Sequence, residues 1–289
     1  MILLLGANGY VAESFINYFY KNEIDFEAVS RDGFDYTNFN NLYFFLKNNI
    51  AAIDTVINCA GYVGKPNVDA CELAKSDCIK GNVLLPQMVS ELCYQFSIKF
   101  VHISSGCIYN GYEKEFTEED EPNFCFNSKV EGSFYSGTKA MAEDLIHKEA
   151  SYVCRLRIPF DHIDNPRNYL SKIQTYQKLL NMENSISHRL DFVEACMHLV
   201  KRENNCPFGI YNITNTGKVD TKQICDLVSK HLNINNDFDF FESIEEFYNI
   251  GAIAPRSNCL LDNSKLLATG FKMRSTEEAL EDSLKNWRT

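Results

Sequence analysis

The first twelve residues, MILLLGANGYVA, constrain the fold more than any other part of the chain. A continuous apolar run, Met1 to Leu5, stops at Gly6 and gives way to helix-like apolar spacing over residues 11–19. A short run without alternation is the pattern of a strand buried on both faces, hence of a parallel sheet. Between run and helix, Gly6, Gly9 and Ala12 keep a three-residue spacing. Gly6 permits a tight turn. Gly9 lets the backbone approach a pyrophosphate at the helix N-terminus, where free N–H groups and the helix dipole favour an anion, and Ala12 leaves room for close helix–strand packing. A plain strand–helix turn is the alternative, and the position directly after an N-terminal strand speaks against it.

The rhythm then repeats. Strands fit residues 26–30, 55–59, 99–104 and 152–157, with helices over 42–48, 83–95 and 136–148. Such alternation predicts right-handed βαβ units and an α/β, Rossmann-like, doubly wound parallel sheet. After Pro159 the pattern breaks into a polar, turn-rich stretch, helical spacing at 170–180 and 190–201, a strand-like run at 209–213, and helices near 221–231 and 277–287. The expected division is a dinucleotide-binding domain over 1–158 with a returning segment near 189–214. A smaller mixed α/β substrate-binding lobe takes 159–188 and 215–289.

Composition narrows the function. The formal net charge of −11 repels phosphate backbones, so nucleic acid is not expected as a partner, although a small anion in a locally positive pocket is compatible with it. The 11 Cys are odd in number and form no CxxC pair, which argues against a disulfide framework and a metal site, and for a reducing, cytoplasmic location. No apolar run is long enough for a membrane span, and Met1 to Leu5 lacks the basic flank of a signal peptide.

Two constellations carry chemistry. The second strand ends in Ser30-Arg31, followed by Asp32. A guanidinium beside a hydroxyl suits a ribose 2′-phosphate, so the cofactor expected is NADPH, with NADH as the alternative if Asp32 or Asp35 holds the adenosine instead. Gly6, Asn8, Gly9, Tyr10 and Val11 form the turn that would meet it. Further on, Tyr135 and Lys139 stand four apart, on one helix face. A cation near a phenol lowers its pKa and helps it exchange a proton near neutral pH. Ser105 closes the strand before them, and parallel strands present functional residues at their C-terminal ends, so Ser105 and Tyr135 are placed to bind one substrate oxygen.

With Asn58, Cys59, Ala60, Gly61 and Tyr62 added, this pattern resembles the extended short-chain dehydrogenases/reductases. It is more closely similar to dTDP-4-dehydrorhamnose reductases. The nearest resemblance is to the epimerase/reductases that turn UDP-4-keto-6-deoxyglucose into UDP-L-rhamnose. The blocks that carry this run in order through residues 60–69, Cys71-Glu72, 132–141, 165–168, 210–215 and 254–258. The resemblance implies that Cys59, Ala60, Gly61 and Tyr62 line the cofactor and that Lys139 holds the nicotinamide ribose. It implies Cys107 and Lys172 as the acid–base pair that inverts carbons beside the ketone, and Val68 and Asp69 as sugar contacts. Asn168 is assigned to the substrate with them. Arg256 is chosen for the UDP diphosphate because a planar fork suits phosphate, a local salt bridge being its plain alternative. Arg167 is similar but sits in a turn. The pair Ser105-x-Cys107 would place both side chains on one side of an extended strand end.

Three readings follow. The first is a bifunctional 3,5-epimerase/4-reductase making UDP-L-rhamnose, fed by a separate 4,6-dehydratase. The second is a reductase alone, which has no need of Cys107 or Lys172. The third is a non-catalytic nicotinamide-binding subunit, against which the intact Ser105, Tyr135 and Lys139 speak. A homodimer paired through helices flanking the catalytic segment is expected on resemblance.

Overall fold

The computed structural model describes residues 1–65, 67–126, 132–232 and 237–288; Pro66, part of the 60–69 block, lies outside them. Six parallel strands form the central sheet: β1 (Ile2–Leu5), β2 (Phe26–Val29), β3 (Thr55–Asn58), β4 (Lys99–Ser105), β5 (Ser151–Leu156) and β6 (Gly209–Asn212). Their order is β6-β5-β4-β3-β1-β2, so the sequence runs outward from β1 in one direction and then in the other. This is the Rossmann-like, doubly wound architecture. Helices flank both faces, and β1 shows why its apolar run is unbroken. Ile2 and Leu4 pack into one core with Phe15, Phe19 and Phe192, whereas Leu3 and Leu5 pack into another with Leu42, Val89 and Leu92. Every side chain of the strand is buried. Removing that much apolar surface from water from both faces of each strand is the main stabilising term for such a sheet.

The register places the functional ends together. Leu5 pairs with Asn58, Asn58 with His102, and Ser105 with Leu156. The turns after β1, β3 and β4 therefore open on the same edge of the sheet, where ligands bind in open α/β folds. After β5 the chain leaves the sheet. It builds a separate core from Phe160, Leu170, Ile173, Ile186, Ile224 and Leu280, and returns through helix Arg189–Val200 to add β6 beside β5. Among the described residues no helix is long and apolar enough to cross a membrane.

Five local readings are corrected. β4 does not run on past Ser105; residues Gly106–Ile108 make a tight helical turn, and the Ser105 hydroxyl accepts from the Cys107 N–H at 3.3 Å. The neighbourhood of Ser105 and Cys107 thus comes from a turn, not from strand pleating. The helix read from residue 83 begins earlier, at Lys75, because Lys80–Leu84 forms one turn with i→i+5 hydrogen bonding between Lys75–Ile79 and Leu85–Gln95. A widened turn shifts the apolar phase and hides the first half from a 3.6-residue period. Helix Tyr169–Thr175 stops five residues short of its expected end, and Ile244–Ile250 forms a helix where none was read. A strand at Gly111–Phe116 also went unread, because only its last residue is buried; it pairs in parallel with Cys259–Leu261.

Candidate active site

The glycine turn is built as its chemistry requires. Gly6 has φ +85°, and a Cβ there would lie 2.7 Å from the Ala60 nitrogen, so no other residue fits without moving the β3 turn. Gly9 caps helix Tyr10–Lys21 in extended conformation, with no side chain bonded across the first turn. The first N–H groups of the helix are left for an anion. A cleft of about 810 Å³ opens in front of them, lined by Gly6, Asn8, Gly9, Ser30, Arg31 and Asp32 on one side. Cys59, Ala60, Gly61 and Tyr62 line the other. Asp35 is spent on the Thr37 hydroxyl and N–H, so of the two candidate acids only Asp32 reaches this cleft. Tyr10 is turned away. Its phenol donates to Asp161 at 3.1 Å and its ring lies 3.9 Å beneath the Arg189 guanidinium. Tyr10 and Val11, as the first helical residues, have main-chain N–H groups to offer.

Sequence reasoning missed three contributors to this cleft. Lys65 and Lys80 line it and add two cations to Arg31. Asn82, buried in the widened turn, receives the Tyr62 N–H at 2.7 Å and donates to the Tyr62 carbonyl at 2.8 Å and the Thr138 hydroxyl at 3.2 Å. It locks the β3 turn onto the helix that carries Tyr135. A lone Asn in a helix has no motif to announce it; only Gly81 beside it hints at an irregular turn.

The reacting groups converge at the end of β4. Helix Phe134–Leu145 is capped by Ser133, whose hydroxyl accepts from the Ser136 N–H. The Glu72 carboxylate accepts from the Phe134 N–H at 2.7 Å, an acidic group at a helix N-terminus. This fixes Tyr135, whose phenol lies beside the Ser105 hydroxyl. Burial, with the thiols of Cys107, Cys71 and Cys78 around it, holds the phenol well above its ordinary pKa, the reverse of the lowering expected from Lys139. The Lys139 ammonium donates to the Ile103 carbonyl at 2.9 Å, and burial brings its pKa down to about 8. Cys107 is half-buried beside Ser105 and Ser136. Burial pushes its thiol up; both hydroxyls and the cations Arg157 and Lys139 pull it down without prevailing. Arg157, also missed in the sequence, is buried under this turn, held by Ser257 and Asn184.

The segments after β5 bring Lys172, Arg167 and Arg256 within electrostatic range of one another. Lys172 is half-buried; burial and repulsion from Arg167 and Arg256 lower its pKa, so it is no freely solvated charge. Arg256 does not stand open. It grips Asp69 through both nitrogens, at 2.8 and 2.9 Å, so two residues assigned separately to the substrate are each other's partner. Val68 immediately precedes Asp69 and is half-buried. The assignment of Asn168 to the substrate is corrected. It is fully buried, donates to Asp161 and Ile163 carbonyls, and accepts from the Leu170 N–H as a helix cap. Its amide holds a loop closed. No group of three or more His, Cys, Asp or Glu is placed to hold a metal among the described residues.

The parallel sheet, the glycine turn at its edge and the Ser105, Tyr135 and Lys139 cluster at the strand ends define a short-chain dehydrogenase/reductase type of protein. The RmlD substrate binding domain matches residues 1–289, and the chain belongs to that family. A trifunctional UDP-glucose 4,6-dehydratase/UDP-4-keto-6-deoxy-D-glucose 3,5-epimerase/UDP-4-keto-L-rhamnose-reductase of Arabidopsis thaliana is 34% identical over 235 residues, covering 78% of this chain and 33% of that protein. The chain thus spans about a third of the trifunctional relative's length. A bifunctional dTDP-4-dehydrorhamnose 3,5-epimerase/dTDP-4-dehydrorhamnose reductase of the same plant is 34% identical over 235 residues, 78% of this chain and 74% of its own. Among solved structures, the UDP-rhamnose synthase of Acanthamoeba polyphaga mimivirus superposes with a TM-score of 0.88 at 22% identity, over 99% of this chain and 98% of that one. A Bacillus anthracis dTDP-4-dehydrorhamnose reductase in complex with NADP gives 0.80 at 18% identity, over 99% and 97%. At these identities the likeness is one of fold.

Proposed function

We propose that this protein is an NADPH-dependent nucleotide-sugar 4-reductase that also epimerises its substrate at C3 and C5, converting UDP-4-keto-6-deoxyglucose to UDP-L-rhamnose. The observation that carries the reading is the meeting of Ser105, Cys107 and Tyr135 at one strand end, with Lys139 one turn along the same helix. The cofactor fits on structural grounds: an uncapped helix N-terminus, a turn only glycine can make, and a cleft with Arg31, Lys65 and Lys80 on its walls. Arg31 with Ser30 would take the 2′-phosphate. When bound, the nicotinamide supplies the hydride.

A C4 ketone acidifies the protons on C3 and C5, since either carbanion delocalises onto O4. Ser105 and Tyr135 donate hydrogen bonds to O4 and stabilise that charge as it develops. Cys107 removes the proton from one face and Lys172 returns one to the other. At the reduction stage Tyr135 gives its proton to O4, with the Lys139 ammonium behind it. The upward push of burial on Cys107 favours a second reading, reduction of an already epimerised 4-keto sugar without base chemistry at the thiol. A separate 4,6-dehydratase would supply the substrate. Exposed Tyr94, Met141 and Leu145 on the helices flanking the site are where a homodimer would close. A cytoplasmic location suits a chain whose 11 Cys are odd in number and form no CxxC pair.

The test is to incubate the protein with UDP-4-keto-6-deoxyglucose and NADPH in deuterated water and identify the sugar by NMR, with Cys107→Ala in parallel. UDP-L-rhamnose carrying deuterium from wild type, and none from the variant, is the expected result. Turnover of an already epimerised 4-keto-rhamnose only, equal in both proteins, would leave the reductase alone.

A further inference from the structure

The Asp69–Arg256 pair ties the segment after β3 to a loop near the end of the chain. Asp69 opens the short helix Asp69–Leu73 after the β3 turn, and Arg256 belongs to the loop that follows helix Ile244–Ile250. The carboxylate is held as a phosphate would be. It meets both guanidinium nitrogens at 2.8 and 2.9 Å and the Ala254 N–H at 2.8 Å. Arg256 is in turn fixed in its loop, its side chain donating to the Ala254 carbonyl and its N–H to the Tyr248 hydroxyl. The pair is unlike the core ion pair of Arg155 and Glu143, which is 2% and 3% exposed; here the values are 24% and 18%, so a ligand can reach it.

Positive charge around it exceeds what one carboxylate balances. Among the described residues the Lys172 ammonium has no hydrogen-bond or ion partner, although the residue is half-buried, and the Arg167 guanidinium reaches only the Gly64 carbonyl, at 3.5 Å. Both lie close enough to Arg256 for Lys172 to feel their repulsion. With Arg167, Lys172 and Arg256 in electrostatic range of one another and a single carboxylate paired among them, the cluster is left net positive.

We propose that Asp69 is the resident anion of a diphosphate site: its carboxylate fills the Arg256 fork in the free protein, and the diphosphate of the substrate exchanges with it. The inference rests on the nucleotide-sugar reading above. The exchange is selective by charge. A fork that accepts a carboxylate bidentately accepts a phosphate in the same geometry. A single negative charge gains nothing by replacing another, whereas a diphosphate also answers Lys172 and Arg167. Asp69 then acts as a specificity residue that admits diphosphates and keeps the fork ordered and satisfied in their absence.

The test uses NADPH-saturated protein, wild type and Asp69→Asn, titrated by calorimetry with UDP and with inorganic pyrophosphate. Asn keeps the shape, loses the charge and accepts through one oxygen only, its NH2 standing against the second guanidinium N–H. UDP is expected to bind the variant about five- to tenfold more tightly, with thermal midpoint and NADPH affinity as wild type. Equal or weaker UDP binding by a folded variant overturns the exchange and leaves the nucleotide reading intact. Tighter pyrophosphate with no UDP binding in either protein keeps the exchange and removes the nucleotide. No binding of either probe removes both. Should Asp69→Asn fail to fold, wild-type crystals grown with UDP decide: the Asp69–Arg256 separation must open beyond hydrogen-bond reach, and a pair still closed with UDP bound refutes the proposal.

Discussion

Tyr135 and Lys139 were legible as a pair from their spacing, but their protonation was not. A cation four residues away suggests a phenol brought down toward neutrality. In the folded chain the Lys139 ammonium donates a hydrogen bond to the Ile103 carbonyl, and burial dominates both groups. Two expectations follow. Tyr135→Phe removes the donor to O4 and should lower kcat for sugar-dependent NADPH oxidation by about 10²–10⁴-fold, with NADPH affinity retained; a loss of less than tenfold would remove Tyr135 from the reaction. Lys139, with its pKa near 8, is cationic below that pH and neutral above it. If the ammonium supports Tyr135, kcat/KM should be level from about pH 6.5 to 7.5 and fall as pH rises through about 8, since that ratio reports the free enzyme. A profile level to about pH 9.5 would show that the charge on Lys139 does not matter.

Among the elements, the one that most controls the site was the least readable. Residues 75–95 form a helix interrupted by a widened turn, and that interruption brings Asn82 to the Tyr62 backbone and to Thr138. Asn82→Ala leaves the Tyr62 N–H and carbonyl without partners and frees the cofactor-side turn from the catalytic helix. It should raise KM for NADPH several-fold and cost about 1–3 kcal/mol of stability in chemical denaturation. An unchanged KM would mean the turn is held by other contacts. A second tie fastens helix Arg189–Val200. Asp191 accepts from Asn215 and Arg274 and pairs with His188. Burial would raise its pKa, but the His188 and Arg274 contacts outweigh this and hold it at about 2. The folded pKa lies below the unfolded value, so its contribution is complete above about pH 4 and is lost as pH falls toward 2. Asp191→Asn should therefore destabilise by about 1–3 kcal/mol at pH 7 and converge with wild type near pH 2. A gap that persists at pH 2 would point to lost packing instead of lost charge.

At the scale of the whole molecule, what the chain displayed was what periodicity encodes. The strands buried on both faces announced the sheet through unbroken apolar runs, and the glycine turn announced its edge. Contacts between distant segments were hidden. Arg256 and Asp69 each read as a substrate ligand, because a residue type cannot reveal that its partner lies 187 positions away. Asn168 read as a ligand for the same reason and is a loop clasp. Charge is the exception, a global property with a local inversion. The chain carries −11 overall, yet Arg31, Lys65 and Lys80 face the first cleft against Asp32 and Asp77, and Arg167, Lys172 and Arg256 gather around Asp69. Phosphorylated ligands are thus repelled by the surface at long range and attracted only at the clefts, which are open to solvent ions. Salt weakens the two effects unequally. Between about 0.05 and 0.5 M NaCl the screening length falls from roughly 14 to 4 Å, erasing the distant repulsion first and the cleft attraction at the upper end. KM for NADPH and for the nucleotide sugar should accordingly change little up to about 0.15 M and rise several-fold by about 0.5 M, while kcat, set by groups in contact, stays constant. Steady-state kinetics across that range decide it: a KM that falls steadily with salt would mean the net charge governs association and the cleft cations do not.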